Sequence, residues 1–155
     1  MEDAKVANME MLKDFLDWDR IMKAKRYSGG HSDVMDVLFI NGIVLGSVSS
    51  DDYQGNIGYA YLVYGWTNTA KIVLISDSYG SCSGCDQWED AGDEDVRQLC
   101  TNLANDAHSF DSIEEAIAWL YKAAADGTYY EWRELGTQLA SELTEKLAEI
   151  KAKGL

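Results

Sequence analysis

Apolar residues recur at helical spacing in the first segment: Met11, Phe15, Trp18 and Met22 stand four, three and four positions apart. Met9, Leu12 and Leu16 widen the stripe and charges fill the opposite face. That pattern predicts an amphipathic helix over residues 3–25. Tyr27 to Asp33 contains Gly29-Gly30 and breaks the period, which predicts a loop. Residues 34–46 are mostly apolar, and Asn41-Gly42 divides them. Asn-Gly between β-branched runs is a strong hairpin signal, because a type I′ turn needs positive φ twice. A helix is the alternative there, weakened by Gly42 and Gly46.

Ser47 to Gly55 is polar and predicts a turn; Ile57 to Tyr64 alternates in part and predicts a strand. Gly65 to Ala70 turns the chain again. Lys71 to Ser76 holds the continuous apolar run Ile72-Val73-Leu74-Ile75, as expected of a central strand. Beyond residue 92 the period returns to that of helices. Residues 93–107 place Val96, Leu99, Cys100, Leu103 and Ala107 on one face, with Asp93, Glu94 and Asp95 at the positive N-terminal end. Ser112-Ile113-Glu114-Glu115 is a capping-box pattern that opens a helix through Ala125. Ile117, Leu120, Tyr121 and Ala124 form its apolar face, and Gly127 ends it. Residues 129–153 carry Trp132, Leu135, Leu139, Leu143, Leu147 and Ile150 at steps of three and four. The polar face of that last helix is mixed in sign, so it can pack internally or form a homodimer. Strands clustered between helices predict an α+β fold. The expected form is a small antiparallel sheet of three to four strands, an N-terminal helix and three C-terminal helices, with the helices covering one face. The 155 residues predict one domain spanning 1–155.

Composition narrows the environment. No apolar run approaches the roughly 20 residues of a membrane span, and the acidic start Met1-Glu2-Asp3 lacks a signal-peptide core. Three cysteines are an odd count, which argues against a secreted disulfide framework and for a reducing cytoplasm. Proline is absent, so turns must use Gly, Asn, Asp and Ser. The net charge of −14 is unevenly placed: residues 72–127 carry −10, whereas residues 1–26 sum to 0. Such a balance opposes direct nucleic-acid binding, which needs a basic footprint. It suits a basic partner, including a surface that normally holds nucleic acid.

The candidate chemistry centres on Tyr79-Gly80-Ser81-Cys82-Ser83-Gly84-Cys85-Asp86. Cys82, Cys85, Cys100 and His108 supply the four N/S ligands of a zinc site, with His31 as a substitute. Cys100 and His108 would lie about 12 Å apart along one helix, too far for one ion. A thiol–disulfide site is a second reading, opposed by the acids that crowd the motif and would raise a thiol pKa. A Cys–His nucleophile lacks an orienting third group. A calcium loop over residues 86–95 lacks the required ligand pattern. The structural reading stands first: Cys82 and Cys85 as buried plugs in a glycine-permitted turn, and Cys100 as core. Cofactors are therefore expected to be absent unless zinc binds. Aromatic groups at Tyr59, Tyr61, Tyr64 and Trp66, and at Trp119, Tyr121, Tyr129, Tyr130 and Trp132, are expected mainly in the core.

The segment from Asp52-Tyr53-Gln54-Gly55 through Gly80-Ser81-Cys82-Ser83-Gly84-Cys85-Asp86 to Ser112-Ile113-Glu114-Glu115 resembles a group of small phage and bacterial proteins of unknown function. The resemblance covers roughly residues 50–120 and implies no activity. In size and acidity the chain is also similar to phage anti-defence proteins such as anti-CRISPR and anti-restriction DNA mimics. The resulting expectation is a non-enzymatic acidic binding protein in the host cytoplasm that occupies a basic surface of a host defence enzyme. Asp86, Glu89, Asp90, Asp93, Glu94 and Asp95, with Trp88 as an anchor, would make the contact. A zinc or thiol protein and a helix-mediated dimer through 129–153 are the alternatives.

Overall fold

The computed structural model describes residues 15–28, 31–40, 42–50, 55–65, 69–79, 92–127 and 130–153. Strands β1 (Gly42–Ser49), β2 (Gly55–Gly65), β3 (Thr69–Tyr79) and β4 (His108–Phe110) form one antiparallel sheet in the order β1-β2-β3-β4. Helices α1 (Trp18–Ser28) and α2 (His31–Asp36) precede it, and α3 (Asp93–Asn105) separates β3 from β4. Helices α4 (Ile113–Asp126) and α5 (Tyr130–Ala152) follow. The fold is α+β, with helices on the N-terminal and C-terminal sides of the strands, as the periodicity predicts.

Alternation along β2 and β3 divides the interior in two. Tyr59, Tyr61 and Val63 on β2 and Val73 and Ile75 on β3 point to one face. There they pack with Ile21 of α1, Val34 and Met35 of α2, and Val96, Cys100 and Leu103 of α3. Ala60, Ile72, Leu74 and Phe110 point to the other face and meet Leu120 of α4 and Trp132, Leu135, Leu139 and Leu143 of α5. The helices therefore cover both faces, not the one expected. The reason lies in the run Ile72 to Ile75, where all four residues are buried. Each would lose roughly 1.5–3 kcal/mol if left in water, so each face of the sheet requires a cover.

Among the described residues the predicted N-terminal helix runs from Trp18, and Phe15 to Asp17 are not part of it. Phe15 to Asp17 run alongside Leu38 to Ile40 instead. Asp17 N–H donates to Leu38 O at 2.9 Å, Ile40 N–H donates to Phe15 O at 2.7 Å, and Leu16 bridges Phe39. Asp17 then caps α1, its Oδ1 accepting from Arg20 N–H at 3.2 Å. The part of the predicted helix before Phe15 lies outside the described residues. The loop predicted over 27–33 instead holds the end of α1 and the first turn of α2. The hairpin predicted across residues 34–46 is not formed: helix α2 ends at Asp36 and Gly42 opens β1, while Asn41 lies outside the described residues. Val34 and Met35 on α2, and Leu38 and Phe39 just after it, are all buried, and that burial overrides the turn signal.

Later elements follow their local signals closely. Ser112 Oγ accepts from Glu115 N–H at 3.1 Å, and the Glu115 carboxylate accepts from Asp111 N–H at 3.2 Å. Gly127 closes α4 with φ 67°, donating to Ala123 O at 3.0 Å. Of the expected apolar face of α4, Leu120 is buried and Ile117 and Ala124 are half-buried, but Tyr121 is 46% exposed; Ala116 and Ala123 are buried in addition. The helix expected to run to 107 ends at Asn105, which frees His108 to Phe110 to form β4. Gly136 brings α5 against α4: a Cβ there would sit 2.7 Å from Leu120 O.

Two stability outcomes follow from these contacts. Ser112→Ala should lower unfolding free energy by about 1 kcal/mol through loss of the cap. Gly136→Ala gains up to about 1 kcal/mol of helix propensity but meets a backbone carbonyl that cannot rotate away. The overpacking cost of about 1–3 kcal/mol prevails, so the variant should be less stable in urea denaturation.

Candidate functional site

Helix α3 is the described part of the acidic segment. Gly92 occupies its N-cap with φ −81° and ψ 179° and offers no side-chain acceptor. Asp93, Glu94 and Asp95 fill the first turn instead, all exposed, where the positive end of the helix dipole favours them. The turns that follow carry Val96, Cys100, Leu103 and Ala104 into the core. The Arg97 guanidinium lies 5.1 Å from the centre of the Trp18 ring, linking α3 to α1. Burial on one side and this aromatic contact hold the acids in solvent. Asp86, Trp88, Glu89 and Asp90 lie outside the described residues, as do Cys82 and Cys85.

The acidic block is continuous in sequence but divided in space. Asp93 to Asp95 belong to the layer of α1, α2 and α3, whereas Glu114 and Glu115 open α4 on the other side of the sheet. Asp111 pairs with Lys71 across the β3–β4 corner. The described part of the proposed contact surface is thus the first turn of α3.

The same division separates the candidate metal ligands. His108 stands opposite Leu74 in the β3–β4 pair, on the α4 and α5 face. Its ring lies 4.4 Å from that of Trp119, which in turn meets Phe110 at 5.6 Å and Trp132 at 6.2 Å. Cys100 lies in the core of the opposite face. The sheet stands between them, so one ion cannot take both; the obstacle is a layer of protein rather than distance along a helix. His31 is the first residue of α2. Among the described residues no three His, Cys, Asp or Glu side chains gather into a metal-holding group.

Cys100 is fully buried, and its thiol is pushed up to about 12 by burial first and by the nearby Asp77 carboxylate second. It therefore stays protonated and behaves as a small apolar side chain. Tyr61 beside it is also held neutral, raised well above the usual phenol value chiefly by burial and further by Tyr59, Asp36 and Cys100. Tyr61 Oη donates to Met35 O at 2.6 Å, and Tyr59 Oη donates to Asp36 Oδ1 at 2.9 Å. The two rings stack at 5.7 Å, and Phe39 meets Tyr61 edge-on at 5.1 Å. This cluster fastens α2 to the sheet; its donors are already engaged. Tyr59 and Tyr61 thus take the core role expected of them, as does Trp132, 1% exposed.

Helix α5 shows a graded environment. Trp132, Leu135, Leu139 and Leu143 are buried, while Leu147 and Ile150 are half-buried. Its contact with the strands depends on Gly58, where a Cβ would lie 3.0 Å from the Trp132 ring. Glu142, which carries no signal in the sequence pattern, reaches across to β1 and accepts from Ser47 N–H at 3.0 Å. No helix among the described residues is long and apolar enough to cross a membrane. No family model, curated protein or solved structure matches the chain.

The environment of Cys100 sets a measurable reactivity. In a variant with Ser at positions 82 and 85, Cys100 should react with a thiol reagent at pH 8 about a thousandfold slower in the folded protein than in urea. The factor follows from a rise from 9.0 to about 12, because only the thiolate attacks. Its raised folded value also means that the thiol's contribution to stability is complete below about pH 9. It is lost as pH rises from 9 toward 12, since the unfolded chain releases the proton first.

Proposed function

We propose that this chain is a non-enzymatic acidic binding protein that occupies a basic surface of the kind that normally holds nucleic acid. The observation that carries this reading is the charge segregation, −10 over residues 72–127 in a chain of −14. The exposure of Asp93, Glu94 and Asp95 at the head of a helix whose later turns are anchored in the core supports it. Carboxylates held on a rigid element meet a basic surface without first being ordered, so less entropy is lost on association. Long-range attraction would accelerate encounter, and apolar contacts near the acids would retain the complex. Extending the source to a phage rests on the resemblance of the Gly-Ser-Cys-Ser-Gly-Cys-Asp segment, and extending the target to a host defence enzyme rests on size and acidity alone.

The immobilised protein should capture a bacterial partner that is released as NaCl rises from about 0.1 to 0.5 M, where screening shortens the reach of charge. Duplex DNA should compete for that partner. Changing Asp93, Glu94 and Asp95 together to Lys should slow association by at least about tenfold while the circular dichroism is unchanged. Capture that ignores salt, or an association rate untouched by the triple change, overturns the reading.

A further inference from the structure

Strand β1 forms one edge of the sheet; among the described strands its sole neighbour is β2. An edge strand exposes backbone donors and acceptors that another strand can take up, and a charge placed on the strand is a common protection. Here residues 37–50, which span all of β1, contain no Asp, Glu, Lys or Arg. Ile43 on the strand is 54% exposed, and Ile40 just before it is 42% exposed. This uncharged edge belongs to a chain of net charge −14.

The charge at this edge comes from elsewhere in the chain. Glu142, exposed on α5 and 95 positions away, accepts the Ser47 N–H at its Oε2, 3.0 Å distant. Gly46 leaves room for the carboxylate: a Cβ there would stand 2.9 Å from Oε2 and 3.5 Å from Leu139. The register shift between Val44 and Gly46 adds a bulge beside the same point, and a bulge interrupts a ladder. We propose that Glu142 guards the β1 edge. With its carboxylate removed, β1 becomes a pairing surface for β1 of a second copy of this chain.

A second copy is the occupant that the chemistry favours. An antiparallel strand pair is complementary to itself about a two-fold axis. The strand itself carries no charged residue, so with Glu142 neutralised a basic or acidic partner finds no charge there to attract it. The repulsion between two acidic molecules acts here only through more distant groups, which salt screens.

The test compares the parent chain with Glu142→Ala and Glu142→Gln by amide exchange and sedimentation velocity. At low concentration the Ser47 amide of the Ala variant should exchange at least about tenfold faster, since a charge-assisted bond has gone. At higher concentration that variant should form a dimer under conditions where the parent sediments as one copy. Adding Ile43→Lys, a charge on an exposed strand position, should return the dimer to single copies. The Gln variant retains a neutral acceptor and should fall between parent and Ala; it carries the test if Ala perturbs the helix. Unchanged Ser47 exchange, single copies at every concentration, a dimer that persists with Lys at 43, or a parent already paired through β1 each overturns the proposal.

Discussion

The structure depends on burial of the β2–β3 pair from both sides. Ile72, Val73, Leu74 and Ile75 are consecutive and all buried, and their side chains alternate across the sheet. Neither face can be left to water without the loss of several large apolar contacts. Helices must then be found for both faces, and the chain supplies them from different regions. The elements α1, α2 and α3 take the Tyr59–Tyr61 side, and α4 and α5 take the Ala60 side. The small residues on the second side have a role in this. Gly58 and Ala60 let the Trp132 and Leu135 side chains approach the strand backbone closely.

This layering decides what the candidate chemistry can be. Cys100 and His108 lie eight positions apart in the chain, yet the sheet separates them because α3 ends at Asn105 and β4 inserts before α4. Cys100 is left among Tyr61, Val96 and Leu103 as a neutral thiol, and His108 is left against Trp119. The acidic residues are divided in the same way. What remains together is the head of α3, where the dipole stabilises three exposed carboxylates while the turns that follow are fixed by burial. Electrostatic display is thus served by the first turn of the helix, and stability by the buried residues of the turns that follow.

Much of this was legible from local signals, and the failures are informative. The N-cap at Ser112, the terminator at Gly127 and the continuous run 72–75 each act within a few residues and appear in the fold as expected, although Glu115 reaches back to Asp111 N–H rather than to that of Ser112. The stripe on α5 was also correct from Trp132 to Leu143. Asn41-Gly42 misled because a turn preference of this kind is weak beside the burial of Val34, Met35, Leu38 and Phe39. Tyr121 misled because its amphipathic ring fits either a core or a surface. The three residues of β4 are too few for any period to register, and Gly136 was visible only as a glycine in a helical pattern.

The sequence by itself determined the class of fold, the order of most elements and the acidic character of the segment after β3. These follow from periodicity, capping and charge, which are properties of neighbouring residues. Only the tertiary structure decided that helices lie on both faces, that Cys100 and His108 stand apart, and that Glu142 reaches Ser47. Each of these depends on which residues distant in the chain share a layer. That is set by the requirement to cover two apolar faces at once, and no local pattern encodes the partners.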